Sequence, residues 1–265
     1  YRATVTKTAW GSIQSAKALT ANTQNLSNSG QLYAAKTTLA ASKHLVNNKT
    51  GIIASAGDVD IFSDTISNTG SVIAGMKADG ALLTTPANLT VHATKELSSS
   101  GVHVATNHLQ LGGNVLTLTD SQSQAKNITL DSKSTTSTQH AKVAATDVLN
   151  MMTPDLLNNT QGMLSASNIN IHTEKLNNHQ GSINQSSQDD FSLTLKNGLD
   201  NRQGSITANA QNFNIHTSTL NNHQGHIKHT GAILDMTAAD VNNTQGSILS
   251  TGDHTLNVKN VINNH

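Results

Sequence analysis

Cysteine is absent from the 265 residues, which excludes a disulfide framework and thiolate metal sites. The absence also suits a chain that crosses a periplasm unfolded, where a premature disulfide would block threading. Aromatic residues make up 2% of the chain, so its core has to be thin, aliphatic and repeated. Charged residues are 12% of the total, about half the usual quarter. Their formal sum is zero with no basic cluster, which leaves no electrostatic footprint for nucleic acid. No apolar run approaches the roughly 18 residues needed to span a bilayer. Tyr1-Arg2-Ala3-Thr4-Val5 carry no signal-peptide core, and Val261-Ile262-Asn263-Asn264-His265 stop in mid-motif. These ends lead us to expect a fragment of something longer.

Disorder is not the alternative, because 35% of the residues are hydrophobic and Leu, Ile and Val recur at regular positions. Leu157-Asn158-Asn159-Thr160-Gln161-Gly162-Met163-Leu164 returns as Leu176-Asn177-Asn178-His179-Gln180-Gly181-Ser182-Ile183. Three further copies begin at Leu199, Leu220 and Val241. A related form fills the N-terminal part, as in Leu26-Ser27-Asn28-Ser29-Gly30-Gln31-Leu32 and Ile66-Ser67-Asn68-Thr69-Gly70-Ser71-Val72, with Trp10-Gly11-Ser12-Ile13 a worn first copy. The glycines at 11, 30, 51, 70, 101, 162, 181, 204, 225 and 246 are separated by 19, 21, 19, 31, 61, 19, 23, 21 and 21 residues. The step of 61 is close to three units, and the step of 31 is one unit plus a loop.

Each unit alternates apolar and polar residues with period two, the pattern of strands. An aliphatic follows the glycine by two positions, as in Ile53, Leu164, Ile183, Ile206 and Ile227, and a small residue follows that, as in Ala34, Ala74 and Ala208. Mid-unit pairs come next: Val59/Ile61, Leu89/Val91, Ile169/Ile171, Leu193/Leu195, Phe213/Ile215, Leu234/Met236 and Leu256/Val258. Short strands cannot bury a core alone, but stacking unit on unit lines up like aliphatics. Crossover chirality favours the right hand. The expected fold is all-β, a right-handed parallel β-helix of about twelve coils of roughly 20 residues, spanning 1–265 as one domain.

An Asn column, Asn28, Asn48, Asn68, Asn159, Asn178, Asn201, Asn222, Asn243 and Asn264, is expected to form the corner by bonding backbone and its equivalent one coil away. A ligand-binding ladder is the other reading of it. The glycine that follows is expected to supply positive φ. Residues 102–150 break the pattern, and read either as degenerate coils or as a loop that leaves the helix to present a binding surface.

His179, His223 and His265 share one turn position, but Thr160, Arg202 and Thr244 alternate with them, too far apart to share a metal ion. His223, His226 and His229 run from a turn into the next strand and are the best-placed trio; His172 and His216 lie on the mid-unit strand. Asp58, Asp60 and Asp64 form the densest acidic group, with Lys36 and Lys77 one unit away, and Asp189-Asp190 the next. A polysaccharide-cleaving β-helix would need such clusters on adjacent coils. No nucleophile elbow, phosphate loop or calcium repeat occurs. No catalytic, cofactor-binding or metal-ligating residue is therefore assigned, no cofactor is expected, and the chain is not expected to be an enzyme.

The motif L-x-N-x-Q-G-x-I, clearest over 156–250, resembles the repeats of filamentous haemagglutinin-type exoproteins and of contact-dependent growth-inhibition toxin stalks. The resemblance implies a stalk or adhesive segment of a large exoprotein at the surface of a Gram-negative bacterium. It also implies export through an outer-membrane two-partner secretion transporter, and a target-cell receptor or glycan as partner. The passenger of a single-chain autotransporter is the alternative.

Overall fold

A computed structural model describes residues 5–6 and 11–264; Trp10 and His265 of the motifs above lie outside them. The regular structure among the described residues is strand, with no helix. Parallel strands form a β-solenoid of about twelve turns, about 21 residues apart. The chain divides into two units, 1–133 and 134–265.

In the first unit, from residue 12 to residue 99, each turn carries a short strand after the corner and a longer one beside it. The strands Gln31–Ala34, Ile52–Ser55, Ser71–Ala74 and Val102–Ala105 stack in that order. Beside them Lys36–Asn47 pairs with Val59–Asn68, which pairs with Leu89–Ser99. Register shifts after Ala41 and Ser63 mark a bend. Like residues then meet. Leu39, Ile61, Val91, Leu111 and Leu130 make one buried column, and Leu26, Leu45, Ile66, Leu97 and Leu116 another. Burying one such side chain fully is worth about 1.5–3 kcal/mol.

The second unit repeats the plan. Val143, Leu164, Ile183, Ile206, Ile227 and Ile248 follow the corner in register, and Leu157, Leu176, Leu199, Leu220 and Val241 close each turn. Phe191 stacks on Phe213, with ring centroids 5.0 Å apart.

The pairing corrects two mid-unit pairs. The counterpart of Phe213/Ile215 is Phe191/Leu193, with Leu195 one step further along, and Leu256 stands opposite Met236, not Leu234. Both slips are by two residues. A two-residue slip keeps every side chain on its face, so alternation alone cannot detect it.

Residues 102–150 stay within the stack of each unit. In the first, His108–Gly113 pairs with Leu89–Ser99 on one side and Gln122–Ser132 on the other. In the second, Lys142–Met152 pairs with Met163–Ala166 and Asn168–His172. The turns survive with other residues. Ser121 N donates to Leu118 O and Ala141 N to Thr138 O, the bond that Gly162 N makes to Asn159 O. The segment that does leave the stack is 75–88, where a bridge between Met76 and Leu82 closes a small projection anchored by Tyr33 Oη donating to Met76 O.

Candidate functional site

The corner is the most ordered polar feature. In the second unit Asn159 Nδ2 donates to Asn178 Oδ1 at 2.8 Å, and the chain of amides continues through Asn201, Asn222 and Asn243 to Asn263. In the first unit it runs Asn28, Asn47, Asn68 and ends on the Ser99 hydroxyl. Two members of the expected column are thereby corrected: Asn47 and Asn263 carry the ladder, not Asn48 and Asn264. The buried wall residue is Leu45, with Val46 half-buried, and Val261 stands opposite Val241. Asn159, Asn178, Asn201 and Asn222 are fully buried, and each also donates to the carbonyl of the glycine three residues on. An amide closed off in this way presents nothing to a ligand in solvent.

The role expected of the corner glycine is also corrected. Positive φ belongs to the residue before it: Gln161, Gln180, Gln203, Gln224 and Gln245 lie at φ 53–55°. The glycine is needed for close approach, since a Cβ on Gly225 would stand 2.1 Å from the Asn201 carbonyl oxygen one coil back. The glutamines form a second, exposed ladder, Gln161 to Gln180 to Gln203 to Gln224 to Gln245, with links of 2.8–2.9 Å. Sequence reading placed these glutamines in the motif without assigning them this backbone.

The histidine trio does not converge. His226 points outward to the Ser247 hydroxyl, whereas His229 points inward, its Nε2 donating to Ala210 O and its Nδ1 facing the Ser250 hydroxyl. His229 fills a column otherwise occupied by Ala208 and Ser250. His223 stays on the turn, its backbone N–H bonded by Asn221 Oδ1. Among the described residues no group of three His, Asp or Glu side chains is placed to hold a metal ion.

The carboxylates are likewise separate. Asp60 pairs with Lys36 at 3.7 Å and Asp58 accepts from Asn88 N at 2.8 Å. Asp64 accepts from the Thr94 hydroxyl at 2.7 Å and pairs with Lys95 at 2.9 Å, so its partner is Lys95, not Lys77. The Thr94 hydroxyl and then Lys95 hold the Asp64 carboxyl below the usual carboxylate range. Asp190 accepts from Asn212 N and Nδ2.

One buried group escaped sequence reading. His103 occupies the column of Leu32, Ile53 and Val72 and is buried. Asn68 Nδ2 can only donate, so His103 Nε2 accepts from it, at 3.2 Å, and Nδ1–H donates to the Ser123 hydroxyl at 3.3 Å. Burial pushes the imidazole down to about 4.

Comparisons with known proteins give one finding. Over 145 residues the chain is 30% identical to Toxin CdiA of Yersinia pestis, a match that covers 52% of this chain and 4% of that protein. No family model matches the chain, and no solved structure does.

Proposed function

We propose that the chain is a stalk or adhesive segment of a large exoprotein at a Gram-negative cell surface, exported by an outer-membrane two-partner secretion transporter. It holds a cell-contact region, adhesive or toxic, away from the membrane and does so without catalysis or nucleic-acid binding. The observation that carries this reading is the pair of buried amide ladders, which lock coil to coil within each unit. The likeness to Toxin CdiA supports it, over a small part of that protein's length. No helix among the described residues is long and apolar enough to cross a membrane.

The test uses the parent gene with its neighbouring transporter gene, and protease shaving of intact cells. We expect this segment to be released from the surface of complete cells and lost from it when the transporter is deleted. Surface display that survives the deletion replaces two-partner export with the single-chain autotransporter. Release of reducing ends from polysaccharides, lost on Asp58→Asn or Asp60→Asn, would sink the non-catalytic reading.

A further inference from the structure

Between the strands Ser71–Ala74 and Leu89–Ser99 the chain leaves the stack at 75–88. Two glycines shape this projection. Gly75 turns the chain outward at φ 82°, where a Cβ would stand 2.5 Å from Thr106 Oγ1. Gly80 makes the tip at φ 93°, and a Cβ there would meet nothing within 4 Å. Both roots are pinned to neighbouring coils. Tyr33 Oη donates to Met76 O at 3.1 Å, and Thr106 Oγ1 donates to Thr85 O and accepts from Ala87 N. Between the roots, residues 77–82 are all exposed.

The bonds of the tip stay within the projection. Lys77 N donates to Ala81 O, Gly80 N to Lys77 O and Ala81 N to Asp79 Oδ1. Other cationic residues outside strands are tied across coils. Lys17 O accepts from Lys36 N, Lys133 N donates to Gly113 O, and Arg202 O accepts from Gln180 N. Beside Lys49, Asn48 N donates to Asn28 O, and beside Lys196, Asn197 N donates to Glu174 O. Threading any of those into a protease cleft has to break bonds between coils, whereas the tip at Lys77 opens alone. Proteolysis follows the population of such local openings, and exposed tips of small and polar residues are its preferred sites.

We propose that the tip is a processing site for an endoprotease that cuts after lysine, and that the cut chain remains one folded body in its first unit. Water adds across the Lys77–Ala78 amide, leaving a carboxylate on Lys77 and an amino group on Ala78. A protease selective for leucine is less well served. Leu82 is bridged to Met76, and Leu83 N donates to Gly75 O at 2.7 Å, so that bond is tied to the root. The stack keeps its links across the break. Ser71–Ala74 stays paired with Val102–Ala105, and Val59–Asn68 with Leu89–Ser99. Asn68 Nδ2 keeps the Ser99 hydroxyl at 3.1 Å. Tyr33 and Thr106 hold the two new ends against the coils. The stalk reading requires no cut, so the two proposals stand or fall separately.

The test is limited digestion of the 265-residue chain with dilute trypsin, read by intact mass and by sizing of the products. We expect the first cut within residues 11–264 to fall between Lys77 and Ala78, roughly tenfold or more ahead of the next. The pieces should co-elute where the intact chain does, keep its far-ultraviolet signal and part only in denaturant. Lys77→Gln should slow the first cut roughly tenfold or more without altering the melting transition. Adding Ala78→Lys to that variant should restore the cut, because the open tip and not one side chain is the site. A first cut at Lys17, Lys49, Lys133, Lys196 or Arg202 overturns the proposal. So do pieces that separate without denaturant, digestion indifferent to Lys77→Gln, and failure of Ala78→Lys to restore it.

Discussion

Asn201 donates from Nδ2 to Asn222 Oδ1 at 2.7 Å and accepts at Oδ1 from Asn178 Nδ2 at 2.7 Å. A single amide thus ties together three successive turns. Its oxygen and nitrogen both point along the stack, which is why a primary amide suits the position: a hydroxyl or a carboxylate lacks one donor or gains one charge.

Replacing Asn201 with Ala strands the Asn178 donor and the Asn222 acceptor inside the corner. Each loss is worth about 1–3 kcal/mol, so we expect a destabilisation of about 3 kcal/mol in the second unit. Chemical denaturation followed by circular dichroism measures it. A change of under about 0.5 kcal/mol would mean that the ladder is ornamental.

Gln203 separates backbone strain from side-chain bonding. Its φ of 55° costs about 1–2 kcal/mol for a residue with a Cβ, and its exposed amide bonds to Gln180 and Gln224 return a similar amount. Gln203→Gly loses the bonds but relieves the strain, and should stay within about 1 kcal/mol of the parent. Gln203→Val keeps a Cβ branch in the left-handed region and should cost about 2 kcal/mol or more. Equal costs for the two variants would show that φ does not decide this corner.

His103 makes the first unit sensitive to acid. The unfolded imidazole titrates near 6.5 and the folded one near 4. Between those values the unfolded state binds a proton that the folded state refuses. Stability is therefore full above about pH 6.5 and is lost as pH falls towards 4, by about 3 kcal/mol in total. His103→Val, which copies Val72 in the same column, should flatten that slope and be the more stable protein near pH 4.5. A His103 ring that titrates at its ordinary value by NMR would contradict the burial argument.

Ile206 sits fully buried between Ile183 and Ile227. Ile206→Asp places a charge there with no partner and should cost roughly 4 kcal/mol or more. An unaltered melting transition would mean that the column does not face the interior.

Much of this architecture is legible in the sequence because a solenoid repeats its local chemistry. The column from Leu164 to Ile227 and the closing column from Leu157 to Leu220 can be read off the glycine spacing, and both are buried as expected. At the corner, the reading slipped by a neighbour of equal local quality. Val46 beside Leu45 and Ile262 beside Val261 are both adequate wall residues, and only the pairing across the gap chooses between them. The corners at Leu118 and Thr138 were invisible for the opposite reason, since their turn bonds persist after Asn and Gly have gone.

The exposure of Phe62, at 43%, was not legible at all. Phe62 belongs to an alternating strand like any other, and its exposure depends on Ala40 one turn before and Gly112 two turns after. Asp64 was singled out for its acidic neighbours, yet its partners Thr94 and Lys95 lie about thirty residues away along the chain.

Local composition and period by themselves determined the strands, the aliphatic interior and the Asn–Gly corner, because each is set by residues within one turn of the chain. Tertiary structure alone decided the register between turns, the left-handed backbone of the glutamines, the burial of His103 and the open face at Phe62. Those depend on which residue of the neighbouring coil lies about 4.8 Å away, and no feature within a single repeat encodes that choice.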